Sequence, residues 1–356
     1  MKNKRILFTG GGTAGHVIVN LALIPIFEKE NWNVDYIGSY SGIEKDLINP
    51  LENVSYFPIS TGKLRRYMSI ENMKDPFKVL KGIFQARRII KKRKPSVVFS
   101  KGGFVSVPVV IAAKLCGVPT IIHESDYTPG LANKIASRFA QKILTTFPET
   151  VDYFPHNKVQ AIGAVVREEL FVGSEKAGYQ ITGLTKGKPI LLVMGGSAGS
   201  HKINEMVRAN LEALLSLFQV IHICGKGNVD YNFTKTGYVQ YEYVNEELKD
   251  LFAITDYVLS RAGSNAIFEF LALRIPMLLI PLSRDASRGD QIVNAKVFKE
   301  KGFAHVLEEE HMDKDTFMGA IVHFKKSGPV LVDRMRQFES KETRDYVIQI
   351  IKEVRK

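Results

Sequence analysis

Twice in this chain an apolar run ends in a cluster of glycines and is followed by an amphipathic stretch. Residues 6–9 lead into Gly10-Gly11-Gly12-Thr13-Ala14-Gly15-His16, and residues 189–194 lead into Gly195-Gly196-Ser197-Ala198-Gly199-Ser200. A strand that turns through glycines into a helix opens a βαβ unit, and βαβ units build parallel sheets with helices on both faces. Further near-continuous apolar runs at 34–37, 97–100, 120–123 and 142–145, then at 219–224, 238–240, 257–260 and 277–281, read as strands buried on both faces. The repetition predicts an α/β chain of two doubly wound, Rossmann-like domains, and 356 residues suffice for two cores. A boundary is expected near residues 162–164, followed by a polar, glycine-containing stretch over 165–185. Ligands are expected in a cleft at the carboxyl ends of the strands.

Charge is divided unevenly between the halves. Of the net +12, the first 166 residues hold 23 Lys and Arg against 12 Asp and Glu, and the rest hold 26 against 25. A one-sided basic field suits a polyanion, either nucleic acid or an anionic membrane. The basic segments lack stacked aromatics and any nucleic-acid motif, which leaves the membrane. Residues 75–94 form a basic amphipathic helix with Phe77, Leu80, Ile83, Phe84, Arg87 and Arg88 at helical spacing. It suits either a headgroup region or an ordinary domain core. The basic 62–67 stretch adds to the same field. No apolar run approaches the length of a membrane span, and the first one breaks at glycines after four residues, so a strand is expected there rather than a signal peptide. Cys116 and Cys224 lie far apart and support neither a disulfide framework nor a thiolate cluster.

The first loop has the spacing G-x-G-x-x-G, which fits a phosphate or a tight turn without any ligand. A dinucleotide site would also need an acidic residue at the end of the second strand, where Gly38-Ser39 stand; Asp35 comes too early. The second loop adds serine hydroxyls to its amides, and a third, at 260–265, carries Glu269 one turn further on. The second half is therefore the better candidate for a nucleotide diphosphate, with Glu269 either holding ribose hydroxyls or lying on a solvated face. His16 can act as a general base on a sugar hydroxyl, or simply cap and pack. Arg167 can neutralise a leaving diphosphate or be a surface arginine in a linker, and Gln291 can read sugar hydroxyls. His123 and Glu124 lack metal-ligand spacing with any other His or Cys, so a zinc site is not expected.

Taken together, Thr9 to His16, Ser100-Lys101-Gly102-Gly103-Phe104-Val105-Ser106, His123-Glu124, Met194 to Ser200, Arg261-Ala262-Gly263-Ser264 with Glu269, and Asp290-Gln291 resemble the MurG family of bacterial transferases. That family adds GlcNAc from UDP-GlcNAc to the undecaprenyl-linked lipid I of peptidoglycan. The resemblance implies a GT-B architecture with an acceptor- and membrane-binding domain over 1–163. A UDP-sugar domain follows over 164–340, and a helix over 341–356 crosses back to the first domain. It implies a peripheral enzyme on the cytoplasmic face of the membrane, with a metal-independent inverting reaction and no cofactor.

Carried over by position, Arg167, Gly196, Ser197, Gly263, Ser264 and Gln291 contact the donor, Glu269 the ribose and the Val244 backbone the uracil. Thr13, Ala14 and Gly15 frame the transferred sugar and acceptor, His16 is the first candidate base, and residues 77–88 face the membrane. Two departures stand out. Ala14 replaces a glycine, and Asp126 replaces a frequent asparagine, which makes Asp126 an alternative base. The rival readings are a soluble UDP-GlcNAc epimerase of the same fold and a non-catalytic module that binds anionic membranes.

Overall fold

The structure, a computed structural model, describes residues 4–62, 70–196, 199–338 and 343–355, with no side chains for 70–74. The chain divides into two compact units, residues 1–166 with 341–356 and residues 167–340. The first unit contains β1 (Arg5–Thr9), α1 (Ile18–Lys29), β2 (Asn33–Ser39), α2 (Ile43–Ile48), β3 (Val54–Ile59), α3 (Ile70–Arg93), β4 (Val97–Ser100), α4 (Ser106–Leu115), β5 (Thr120–Glu124), α5 (Leu131–Ala136), β6 (Lys142–Thr145) and β7 (Val159–Ala161). The second contains α6 (Glu175–Thr182), β8 (Ile190–Met194), α7 (His201–Ala209), α8 (Leu211–Leu217), β9 (Gln219–Ile223), β10 (Tyr238–Tyr241), α9 (Leu248–Ala253), β11 (Tyr257–Ser260), α10 (Ser264–Leu273), β12 (Met277–Leu279), α11 (Asp290–Glu300), β13 (Ala304–Val306) and α12 (Lys314–Arg336). The last helix, α13 (Thr343–Val354), returns to the first unit.

Both sheets are parallel, in the orders β3-β2-β1-β4-β5-β6-β7 and β10-β9-β8-β11-β12-β13. In each, the order reverses beside the first strand of the unit, at β1/β4 and at β8/β11. A reversal opens a crevice at the carboxyl edge, because the connections on its two sides leave in opposite directions. The strand alternation sorts the core. Ile6 and Phe8 face a cluster with α1 and α13, including Phe27, Trp32, Val347, Ile348, Ile350 and Ile351, while Leu7 and Val98 face α3 and α4 through Ala86, Ile90, Val109 and Ala113. In the second unit, Leu191 and Val193 pack with Ile203, Val207, Phe317, Ile321 and Phe324 from α7 and α12. A reciprocal capping box between Asp313 and Thr316 starts α12.

Three strands go beyond the sequence expectation: β3, β7 and β13, all at sheet edges. Part of the stretch expected to lack periodicity is helix α6, capped by the Ser174 hydroxyl and ended by Gly183 with φ +67°. Gly178 lets α6 approach α9 closely, since a Cβ there would lie 2.4 Å from the Asp250 carbonyl oxygen. Among the described residues, no helix is long and apolar enough to cross a membrane.

Candidate active site

The two principal glycine loops differ in what occupies them. In the first unit, Glu44 on α2 is fully buried, and its carboxylate accepts from the Gly12 amide at 3.0 Å, the Ser39 amide at 2.9 Å and the Ser39 hydroxyl at 2.5 Å. A Cβ at Gly11 would lie 2.4 Å from that carboxyl carbon. The loop thus closes on a carboxylate of its own chain, which fills the position a dinucleotide phosphate would take. Asp35, the other candidate acid, is buried near the start of β2 and accepts from Arg93 Nη2 at 2.6 Å and Arg5 Nη1 at 3.2 Å. It is a structural anchor.

Beyond the loop, residues Ala14–His16 form a single 3₁₀ turn before α1. The Thr13 hydroxyl lies 3.0 Å from His16 Nδ1, which orients the ring. Gly103, at φ +81°, brings the turn after β4 against the first loop, where a Cβ would sit 2.1 Å from the Gly11 carbonyl oxygen. Lys101 precedes it, 2% exposed, and its ammonium donates to the Ser125 hydroxyl. Burial lowers that ammonium to about 8, against the opposing charges of Glu124 and Asp126. Glu124 ends β5 and accepts from the Asp126 and Gly130 amides and from Asn133 Nδ2, each at 3.0 Å. Burial, with the charge of Lys101 adding to it, keeps His123 well below its ordinary value and therefore neutral. His16, Lys101 and Asp126 come from three loops that meet at the β1/β4 edge. Composition and spacing gave Lys101 no role, although its place between a strand end and two glycines was visible.

In the second unit, the loops after β8 and β11 lie side by side, because Met194 pairs in register with Ser260. Gly196 has φ +91° and open space where a side chain would stand. Ser197 and Ala198 lie outside the described residues. Gly263 caps α10, and Ser264 is the first helical residue and is buried. No side chain caps this helix, and a Cβ at Gly263 would meet nothing within 4 Å. A side chain on the residue before this ten-residue helix would therefore enter open space, at the positive end of the helix.

Arg261 holds this edge together from beneath. Its guanidinium donates to the Ile280 and Pro281 carbonyls at 3.1 and 3.2 Å, and to the Ser200 hydroxyl and Glu309 carboxylate, each at 2.6 Å. Arg167 and Glu269, each expected on the donor, grip one another in a two-pronged pair of 2.8 and 3.1 Å. Burial raises the Glu269 carboxyl, with Arg167 opposing. Gln291, the second residue of α11, accepts from the Leu282 amide at 3.1 Å, while Val244 is half-buried in the segment after β10.

On α3, Phe77, Leu80 and Phe84 are 73%, 53% and 67% exposed, and Arg88 is exposed with them. Ile83 instead packs against the core, and Arg87 is half-buried with its backbone carbonyl against Cys116. The expected face is narrower than the sequence suggested. Residues 63–67, the upstream basic stretch, fall outside the described part.

A family model described as glycosyltransferase family 28 N-terminal domain matches residues 6–145, and one described as its C-terminal domain matches residues 190–350. A relative from Oceanobacillus iheyensis, a UDP-N-acetylglucosamine--N-acetylmuramyl-(pentapeptide) pyrophosphoryl-undecaprenol N-acetylglucosamine transferase, is 63% identical over 354 residues and 99% of both chains. A Staphylococcus aureus protein of the same name is 56% identical over 342 residues and 96% of both. Among solved structures, Acinetobacter baumannii MurG superposes with a TM-score of 0.76 at 23% identity, covering 98% of this chain and 99% of that one. The calicheamicin glycosyltransferase CalG4 does so at 0.68 and 12%, covering 98% and 95%.

Proposed function

The chain belongs to glycosyltransferase family 28, and from that premise we propose that it transfers GlcNAc from UDP-GlcNAc to the C4 hydroxyl of MurNAc in lipid I, giving lipid II for peptidoglycan. The observation that carries this reading is identity of 63% along 99% of both chains with a transferase of that name. The fold supplies the two ligand-facing edges such a reaction needs.

The donor belongs to the second unit. Its loops leave open space at Gly196 and Gly263, and the α10 N-terminus offers amides to a diphosphate, whereas Glu44 fills the loop of the first unit. Charge developing on the leaving UDP meets that helix end and Arg167, which do the work a metal does elsewhere. Glu269 takes the ribose hydroxyls when Arg167 turns to the phosphates. Gln291 reads the sugar and the Val244 backbone the uracil. The acceptor belongs to the first unit. Its C4 hydroxyl, deprotonated by His16 or Asp126, attacks the anomeric carbon from the face opposite UDP and inverts it. Thr13, Ala14 and Gly15 line this side. The exposed face of α3 meets the cytoplasmic leaflet, where Phe77, Leu80 and Phe84 enter the headgroup region and nearby Lys and Arg face anionic lipid.

The test is transfer of labelled GlcNAc onto undecaprenyl-pyrophosphoryl-MurNAc-pentapeptide in vesicles with a chelator present. Formation of the lipid-linked disaccharide is expected. Conversion of UDP-GlcNAc without acceptor would mean an epimerase instead, and activity lost on chelation and restored by metal would overturn metal independence.

A further inference from the structure

Glu44, on the short helix α2, is fully buried, and its carboxylate is held by hydrogen-bond donors from two other segments. One oxygen accepts from the Gly12 amide at 3.0 Å, while the other accepts from the amide and the hydroxyl of Ser39 at 2.9 and 2.5 Å. Burying a carboxylate is costly unless such donors replace its water. Each oxygen serves a different segment, so a glutamine, with a single carbonyl oxygen, cannot serve both. The fit is close: a Cβ at Gly11 would lie 2.4 Å from the carboxyl carbon, and one at Gly42 would lie 2.3 Å from an oxygen. Two tyrosines brace the same backbone, Tyr36 donating to the Gly10 carbonyl at 2.8 Å and Tyr56 to the Ser39 carbonyl at 2.6 Å. Gly12 directly precedes Thr13, whose carbonyl accepts from the His16 amide at 3.1 Å and whose hydroxyl lies 3.0 Å from His16 Nδ1. The Glu44–Gly12 bond is thus one peptide away from the turn that carries His16.

We propose that Glu44 is a positioning residue for the transfer reaction: through the Gly12 amide it sets where the Thr13–His16 turn stands, and so where that turn meets the acceptor sugar. This rests on the assignment of the turn to the acceptor side made above. Direct contacts form every link, Glu44 to Gly12 and Thr13 to His16, with the Gly12–Thr13 peptide bond between them. A shift of about 1 Å in a group that meets the reacting atoms can lower a rate by up to about a hundredfold. The donor, held by the second unit, is untouched by such a shift. KM for UDP-GlcNAc therefore separates this role from a general loosening of the fold.

The experiment is the vesicle transfer assay on the full chain with Glu44→Gln, Glu44→Asp and Glu44→Ala, with and without added formate. Glu44→Gln and Glu44→Ala are expected to lower kcat about tenfold or more and to leave KM for UDP-GlcNAc within about twofold of wild type. Formate brings a carboxylate small enough for the space that Glu44→Ala vacates and restores part of that variant's kcat. Glu44→Gln still fills the space and gains nothing from it. Glu44→Asp keeps the charge on a stem one methylene shorter and falls between wild type and Glu44→Ala. Hydrogen exchange across 10–16 quickens in Glu44→Gln while 5–9 keeps its protection. A kcat equal to wild type in Glu44→Gln and Glu44→Ala overturns the proposal. So does a rise in KM for UDP-GlcNAc that matches the fall in kcat, or protection lost across 5–9 together with 10–16, as for an anchor of the fold alone. Formate that helps neither variant, or both alike, overturns it too. Should Glu44→Ala not fold, Glu44→Gln and Glu44→Asp decide through kcat, KM and exchange. A wild-type chain that transfers nothing to the lipid acceptor overturns the functional reading itself, whereas active wild type with unaffected Glu44 variants overturns only the role of Glu44.

Discussion

In the proposed reading, single residues decide which loop takes the nucleotide. Gly263 has an ordinary φ of −68° and nothing within 4 Å of a built Cβ, so Gly263→Ala leaves folding intact and puts a methyl group into the space proposed for the donor. KM for UDP-GlcNAc should rise about fivefold or more while the urea midpoint stays within error. Gly103→Ala meets the opposite situation, with a positive φ and the Gly11 carbonyl 2.1 Å away, and should cost about 2 kcal/mol or more in denaturant unfolding. The buried histidines set the acid limit. His222, bonded to Tyr238 and Asn204, is lowered by burial and by Arg208 to about 3. The unfolded chain therefore binds the proton first, and this contribution to stability is complete above about pH 6.5 and is lost as pH falls toward 3. His222→Gln should flatten the fall in urea midpoint across that window, and an unchanged slope would refute the assignment. Neither Glu44 in the first loop nor the Arg167–Glu269 pair could be read from sequence spacing, because each joins residues far apart in the chain, 32 and 102 positions respectively.

At the level of elements, α3 separates two faces that periodicity alone merged. Helical spacing gathered Phe77, Leu80, Ile83 and Phe84 into one stripe, yet Ile83 turns to the core while its neighbours face water. Phe77→Ser with Phe84→Ser should weaken co-sedimentation with anionic vesicles about tenfold, with unfolding shifted by less than about 0.5 kcal/mol. Ile83→Ser should instead destabilise the fold by about 1 kcal/mol or more. The edge strands were harder to see for a related reason. β3 and β7 are largely half-buried, and β13 has three residues, so none carries the continuous apolar run that marked the central strands. Helix α6 escaped because its two glycines, one a close contact and one a cap, resemble a linker when counted rather than placed.

For the whole molecule, the chain end completes the first core. Val347, Ile348, Ile350 and Ile351 of α13 are buried in the cluster with Phe8 and Phe27. Exposing four such side chains costs about 6 kcal/mol, comparable to the entire stability of a domain. Deleting 341–356 should therefore abolish hydrogen-exchange protection across residues 4–166 and preserve it across 167–338. Equal loss in both would argue against separate cores. The paired strand, glycine-loop and helix patterns determined the doubly wound class and the motifs that mark the family, since they depend on neighbours in sequence and on a periodicity that backbone geometry imposes. Tertiary structure alone decided which loop was already filled, which arginine held which glutamate, and which side of α3 met water. Those outcomes are contacts between distant segments, and a local pattern contains no information about the partner that folding brings to it.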